Sequence, residues 1–93
     1  MEELYPNLVP PQNLEAEEAV LGSILLEQDS IISVMEFLVP DDFYRVAHQL
    51  IFAAMIELNQ NSEAIDPITV SEKLRQKNQI DNVGGEAGII ELL

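Results

Sequence analysis

The stretch "PDDFYRVAHQLIFAAMIELN", residues 40–59, carries the strongest helical pattern in the chain. Apolar side chains recur along it at spacings of three and four residues: Ala47, Leu50, Ile51, Ala54, Met55 and Leu58. A stripe this wide is typical of a helix that buries one face against other elements. Asp42 stands where it can cap the helix, next to Phe43. The pattern therefore predicts an amphipathic helix over residues 43–59.

Two further helices are predicted before this one. Asn13 is placed to cap a helix over residues 14–27, with Leu14, Leu21 and Leu25 along one face. Three glutamates fall in its first turn, where the helix dipole favours anions: Glu15, Glu17 and Glu18. We interpret all three as a solvated face at the start of the helix. A shorter helix follows from residue 29 or 30 and ends before Pro40.

The pattern continues beyond residue 60 with two more helices. Asp66 and Pro67 are a capping residue and a proline at the first helical position, and they begin a helix that runs to about residue 77 with Leu74 in the core. Gly84 and Gly85 predict a turn in which one glycine takes a positive φ. A fifth helix should begin at residue 86. Because no stretch shows a convincing two-residue period, the predicted fold is all-α, a bundle of about five short helices.

The ends of the chain differ from this helical region. Residues 1–12 contain Pro6, Pro10 and Pro11, which disfavour a helix, so an extended N-terminal arm is predicted there and a helical domain over residues 13–93. The last six residues, "GIIELL", form an apolar pattern without a capping residue. We expect the chain to be a fragment of a longer protein.

The charge of the chain excludes several functions. Its net charge is −13, from 17 acidic and four basic residues. Such a surface repels nucleic-acid phosphates and anionic lipids, so direct binding to DNA, RNA or membranes is not expected. There are no cysteines, which favours a cytoplasmic location. A basic protein partner is favoured, although a merely solubilising surface explains the charge equally well.

Motifs that would indicate an enzyme are absent from the sequence. No phosphate-binding P-loop sequence occurs, and the best calcium-loop register, starting at Asn59, lacks both the glycine and the final glutamate. His48 is the single histidine, which is too few for a histidine-rich metal site. Tyr44 and His48 are four residues apart on the predicted third helix, where they form either a packing pair or part of a binding surface. Leu26, Ile32 and Phe37 lie off the apolar stripes and either fill the core or form a docking surface.

Four blocks of sequence resemble one family when they are taken in order. The blocks "PPQNLEAEEAVLGSILL", "PDDFYRVAHQLIFAAMIEL", "IDPITVSEKL" and "VGGEAG" are similar to the N-terminal domain of DnaB-type hexameric replicative DNA helicases of bacteria or bacteriophages. The chain departs from the family pattern at Pro67 and Ile68, where a leucine–valine type of pair is expected. It departs again at Gly88, where an aromatic residue is usual, and this should weaken the start of the last helix.

The resemblance implies a helical head domain that continues, in the family, into a long helical hairpin. The hairpin pairs subunits into a collar above the ATPase ring, and the collar receives the C-terminal domain of primase. Binding of ATP and Mg²⁺ belongs to the ATPase half, which this chain lacks. The resemblance therefore implies a non-catalytic head without a cofactor of its own. Its partners would be other helicase subunits together with the primase C-terminal domain, a helicase loader, or both.

Three hypotheses follow from these observations. The first is an assembly and docking domain, with a candidate interaction surface at Glu15, Glu18, Tyr44 and His48. The second is a free-standing acidic protein that mimics DNA and inhibits a basic nucleic-acid-binding protein, which the net charge of −13 suggests. The third is a small metal-dependent hydrolase, for which the sequence gives little support.

Overall fold

Five α-helices follow one another in the computed structural model, which describes residues 13–93. They are α1 (Leu14–Leu26), α2 (Ser30–Val34), α3 (Val46–Gln60), α4 (Pro67–Gln76) and α5 (Gly85–Ile90). Single 3-10 turns over Pro40–Asp42 and Ile80–Val83 precede α3 and α5. No strand occurs among residues 13–93, so the all-α prediction is confirmed. The predicted arm, residues 1–12, lies outside the described residues.

Side chains close to each start fix where α1 and α4 begin. The Asn13 side chain accepts a hydrogen bond from the Ala16 N–H, as the sequence predicts. Asp66 accepts one from the Thr69 N–H at 2.9 Å, and the Thr69 hydroxyl accepts one from the Asp66 N–H in return. These bonds satisfy N–H groups that would otherwise lack a partner in the first turn of each helix. The predicted caps at Asn13 and Asp66 are confirmed.

The start of α3 differs from the prediction. The helix begins at Val46, three residues later than expected, and its N-cap is Arg45 in an extended conformation. Asp42 does not cap it, because the Asp42 carboxylate accepts a hydrogen bond from the Val39 N–H and closes the preceding 3-10 turn. Phe43 is buried and enters the core ahead of the helix. The prediction of a helix over residues 43–59 was therefore wrong at its N-terminal end.

The core forms where α3 packs against the other helices. Its fully buried members include Leu21 and Ile24 from α1, Phe52 and Met55 from α3, and Leu74 from α4. The buried stripe of α3 is centred slightly to one side of the predicted one. It contains His48, Ile51, Phe52, Ala54, Met55 and Leu58, whereas Ala47 and Leu50 only border the core. Phe52 contacts Phe43, with ring centroids 5.1 Å apart.

Glycines shape the C-terminal side of the bundle, through a turn and through close backbone approaches. Gly84 and Gly85 both take positive φ values, 87° and 72°, so the turn before α5 uses both glycines rather than one. Gly22 of α1 is buried, and a Cβ at this position would overlap the Leu92 carbonyl oxygen. The end of the chain can therefore pass directly over α1. The last helix forms over Gly85–Ile90, and a Cβ at Gly88 would overlap the Val83 carbonyl oxygen, so the expected weakening by Gly88 is accompanied by a close packing that requires a glycine.

Replacing Phe52 by alanine should destabilise the domain strongly. The side chain is fully buried among residues from several elements, so its removal leaves a cavity and costs about 3–5 kcal/mol of unfolding free energy. Leu50→Ala is the matched control on the same helix. Because Leu50 is only partly buried, it should cost clearly less than the roughly 2–5 kcal/mol expected of a core leucine. Urea denaturation followed by circular dichroism measures both. Equal losses of unfolding free energy in the two variants would mean that the buried stripe of α3 is centred closer to Leu50 than described above.

Candidate functional site

One carboxylate, that of Glu17, joins α1 to the segment that leads into α3. Its Oε1 accepts a hydrogen bond from His48 Nδ1–H at 2.7 Å, and its Oε2 accepts one from the Tyr44 N–H at 2.6 Å. The Arg45 N–H lies 3.5 Å from Oε1. A carboxylate can only accept hydrogen bonds, so Nδ1 must carry the proton of the imidazole. The charge of Glu17 also lies near the N-terminus of α3, where the helix dipole favours an anion.

The environment of Glu17 shifts its pKa. Burial raises the pKa of this carboxyl, but the hydrogen bonds from His48, Tyr44 and Arg45 and the charge on His48 together outweigh burial. They hold the pKa of Glu17 below its ordinary value of 4.5. The ionised form is therefore the one that the fold stabilises.

The sequence interpretation of Glu17 was wrong. The three first-turn glutamates were interpreted as a solvated face, but the Glu17 side chain is largely buried and hydrogen-bonded across the bundle. The spacing in the sequence does not single out Glu17. Residue 17 lies three positions after Leu14 and four before Leu21, whereas residue 18 lies four after Leu14 and three before Leu21, so both are compatible with the apolar stripe of α1. In the structure Glu15 and Glu18 are exposed.

The interpretation of Tyr44 and His48 as neighbours on one helix also needs correction. Tyr44 precedes α3, whereas His48 is in its first turn. His48 is buried, and its ring meets the edge of Phe43 at a centroid distance of 6.4 Å. His48 therefore has the predicted packing and hydrogen-bonding role. Its hydrogen-bond partner is Glu17, however, and not Tyr44. The Tyr44 side chain is exposed, while its backbone is held by Glu17.

A cavity of about 300 Å³ opens beside this junction, between α1, the start of α3 and the C-terminal residues. Glu18 and Arg45 lie among its lining residues with His48, and Ile51 and Leu92 are among the apolar ones. The predicted surface residues Glu18 and His48 are thus brought together in one cavity. Glu15 and Tyr44 are not among the lining residues, and a role for them in binding a partner stays a prediction.

The exposed apolar residues form the second notable feature of the surface. The sequence left open whether Leu26, Ile32 and Phe37 fill the core, and all three are exposed. Val39 and Tyr44 are exposed as well. The core-filling alternative was therefore wrong, and the docking alternative stays a prediction.

Two findings concern membranes and metals. Between residues 13 and 93, none of the helices has the length and apolar character required to cross a bilayer. The same residues contain no group of three or more histidine, cysteine, aspartate or glutamate side chains arranged to hold a metal ion.

A family model, described as the DnaB-like helicase N terminal domain, matches residues 9–93. The chain is 41% identical over 92 residues to the replicative DNA helicase DnaB of Geobacillus stearothermophilus. This match covers 99% of the present chain and 20% of the Geobacillus protein. The chain is 44% identical over 85 residues to the replicative DNA helicase DnaC of Bacillus subtilis, covering 91% of this chain and 19% of that protein. The chain thus spans about a fifth of the length of these curated relatives.

The fold is similar to that of a solved structure. The crystal structure of the N-terminal domain of DnaB helicase from Mycobacterium tuberculosis matches with a TM-score of 0.86 and 41% sequence identity. The match covers 89% of this chain and 59% of that chain.

The hydrogen bonds of Glu17 should make stability depend on acid pH. Because the folded-state pKa of Glu17 is below its unfolded value, its stabilising contribution is complete above about pH 4.5 and is lost as the pH falls through the folded pKa. Glu17→Gln should lower the unfolding free energy by about 1–3 kcal/mol near neutral pH. The difference from the parent should shrink as the pH falls below the ordinary pKa of the carboxyl, 4.5, and through its lower value in the folded domain.

Urea titrations at a series of pH values test this, with Glu15→Gln as the matched control from the exposed side of the same turn. The control should change the unfolding free energy by no more than about 0.5 kcal/mol. A difference between Glu17→Gln and the parent that is constant with pH would contradict the role assigned to the ionised carboxylate.

Proposed function

The chain belongs to the DnaB-like helicase N-terminal domain family, and on this premise we propose that it is a non-catalytic assembly and docking domain of a replicative DNA helicase. The observation that carries the proposal is the family match over residues 9–93, which includes all five helices of the fold. The relatives named above are replicative DNA helicases about five times longer than the matched region. ATP-driven unwinding of DNA would therefore be an activity of the longer protein, with ATP and Mg²⁺ bound outside this chain.

The geometry around the single histidine gives it a structural role. His48 donates Nδ1–H to Glu17 and packs its ring against Phe43, so contacts hold it on two sides. Glu17 in turn accepts from the backbone just before α3. The carboxylate and Nδ1 thus join α1 to α3, which suits a domain whose function is assembly.

The charge of the chain supports protein rather than nucleic-acid partners. With a net charge of −13, the surface repels phosphate backbones and anionic membranes. The proposed partners are other subunits of the helicase and the primase C-terminal domain, a helicase loader, or both. The proposed location is the cytoplasm, where replication proteins of bacteria and bacteriophages act.

An NMR titration of the isotope-labelled chain with the C-terminal domain of the cognate primase tests this function. We expect chemical-shift changes confined to one face of the folded domain, and a moderate weakening of binding when the salt concentration is raised. Added duplex DNA should neither bind the chain nor displace it from primase.

Two outcomes would contradict the proposal. If the folded chain shows no chemical-shift changes with primase or with a loader, it has no docking function. Displacement of the chain from its partner by duplex DNA, with a steep salt dependence, would instead support an acidic DNA mimic.

A further inference from the structure

Four large apolar side chains are exposed on a single short stretch of the chain. They are Leu26, Ile32, Phe37 and Val39, with exposed fractions of 74%, 58%, 80% and 56%. The stretch runs from the end of α1 through α2 to the 3-10 turn at Pro40–Asp42. We call these four residues the α2 face. Clusters of exposed apolar residues on a soluble domain mark interaction sites more often than isolated ones do.

The buried side chains of this stretch fix its orientation against the core. Ile31 is fully buried, and Val34, Met35 and Leu38 pack against the core. The stretch therefore has apolar residues towards the core and towards solvent, whereas a surface helix normally has polar residues on its outer side. Turning α2 to bury Ile32 would expose Ile31. The fold thus holds the α2 face outwards.

The charges around the α2 face have a single sign. Residues 13–44 contain eight acidic residues and no lysine or arginine. Three of these acids, Glu27, Asp29 and Glu36, are exposed on the same stretch as the four apolar residues. A partner that covers this face must bring apolar contact area and positive charge together.

A second copy of the chain fits this requirement poorly. Its four basic residues are Arg45, Lys73, Arg75 and Lys77, and all lie outside the stretch. Arg75 pairs with Glu72, and Lys77 with Glu57, within the same chain. Two α2 faces placed together would bring acidic residues against acidic residues.

We propose that the α2 face is the docking surface of the domain, and that its partner is a different protein presenting an apolar pocket bordered by lysine or arginine side chains. Phe37, the most exposed of the four, enters the pocket, and Glu27, Asp29 and Glu36 pair with its basic border. This inference rests on the proposed docking function, because it names the surface through which that function is carried out.

Binding of the 93-residue chain to the primase C-terminal domain, measured by titration calorimetry, tests the surface. Phe37→Ser should weaken binding roughly tenfold or more, as expected for a central apolar contact. Ile68→Ser is the matched control, since Ile68 is 71% exposed but lies on α4. It should leave the affinity within about twofold. Glu36→Lys should slow association and reduce its salt dependence, whereas Glu86→Lys, an exposed acid on α5, should have a smaller effect.

The outcomes separate the surface from the function. If the parent binds and both Phe37→Ser and Glu36→Lys bind equally tightly, the α2 face is not the docking surface, but the docking function stands. No binding by the folded parent would overturn both. Concentration-dependent dimerisation of the parent in sedimentation, abolished by Phe37→Ser, would show that a second copy is the occupant and would overturn the assignment of a basic partner. Circular dichroism of each variant shows that it is folded.

Discussion

The arrangement of α1 and α3 depends on one buried carboxylate. Glu17 accepts hydrogen bonds from the backbone just before α3 and from the His48 side chain in its first turn. Glu17 thus accepts from N–H groups near the start of α3, as an N-cap residue would, although it belongs to α1. Gln49 adds to this by donating to the Phe43 carbonyl oxygen at 2.7 Å, so the segment before α3 is held from both sides. With that segment fixed, Phe43 enters the core and meets Phe52.

The remaining packing is consistent with this central junction. The fully buried residues of α3 meet α1 on one side and α4 on the other, and α5 closes the bundle against α4. Gly22 allows the end of the chain to cross α1 without a side chain between them. The titratable groups at the junction hold α1 and α3 together.

The charged residues are distributed unevenly along the chain. The four basic residues lie at the start of α3 and along or just after α4, whereas every charged residue between residues 13 and 44 is acidic. A surface of this kind lowers non-specific contact with DNA. The acidic residues near the exposed apolar side chains around α2 also favour basic partners over acidic ones.

Much of the fold could be predicted from the sequence, because short-range physics decides it. The apolar spacing of residues 47–58 and the caps at Asn13 and Asp66 act within a few residues, and each of these elements is present. The family resemblance was likewise present in the residues themselves. The sequence patterns failed at Asp42 and Glu17 for different reasons. Asp42 closes a local 3-10 turn with the Val39 N–H instead of capping α3. Glu17 reaches N–H groups on a distant segment, and only the tertiary structure decides that contact. The same holds for His48, whose burial follows from the packing of α1 against α3. The sequence alone thus determined the helices and the acidic character of the chain. Which glutamate is buried, and which apolar residues remain in solvent, depended on contacts between residues about 30 positions apart.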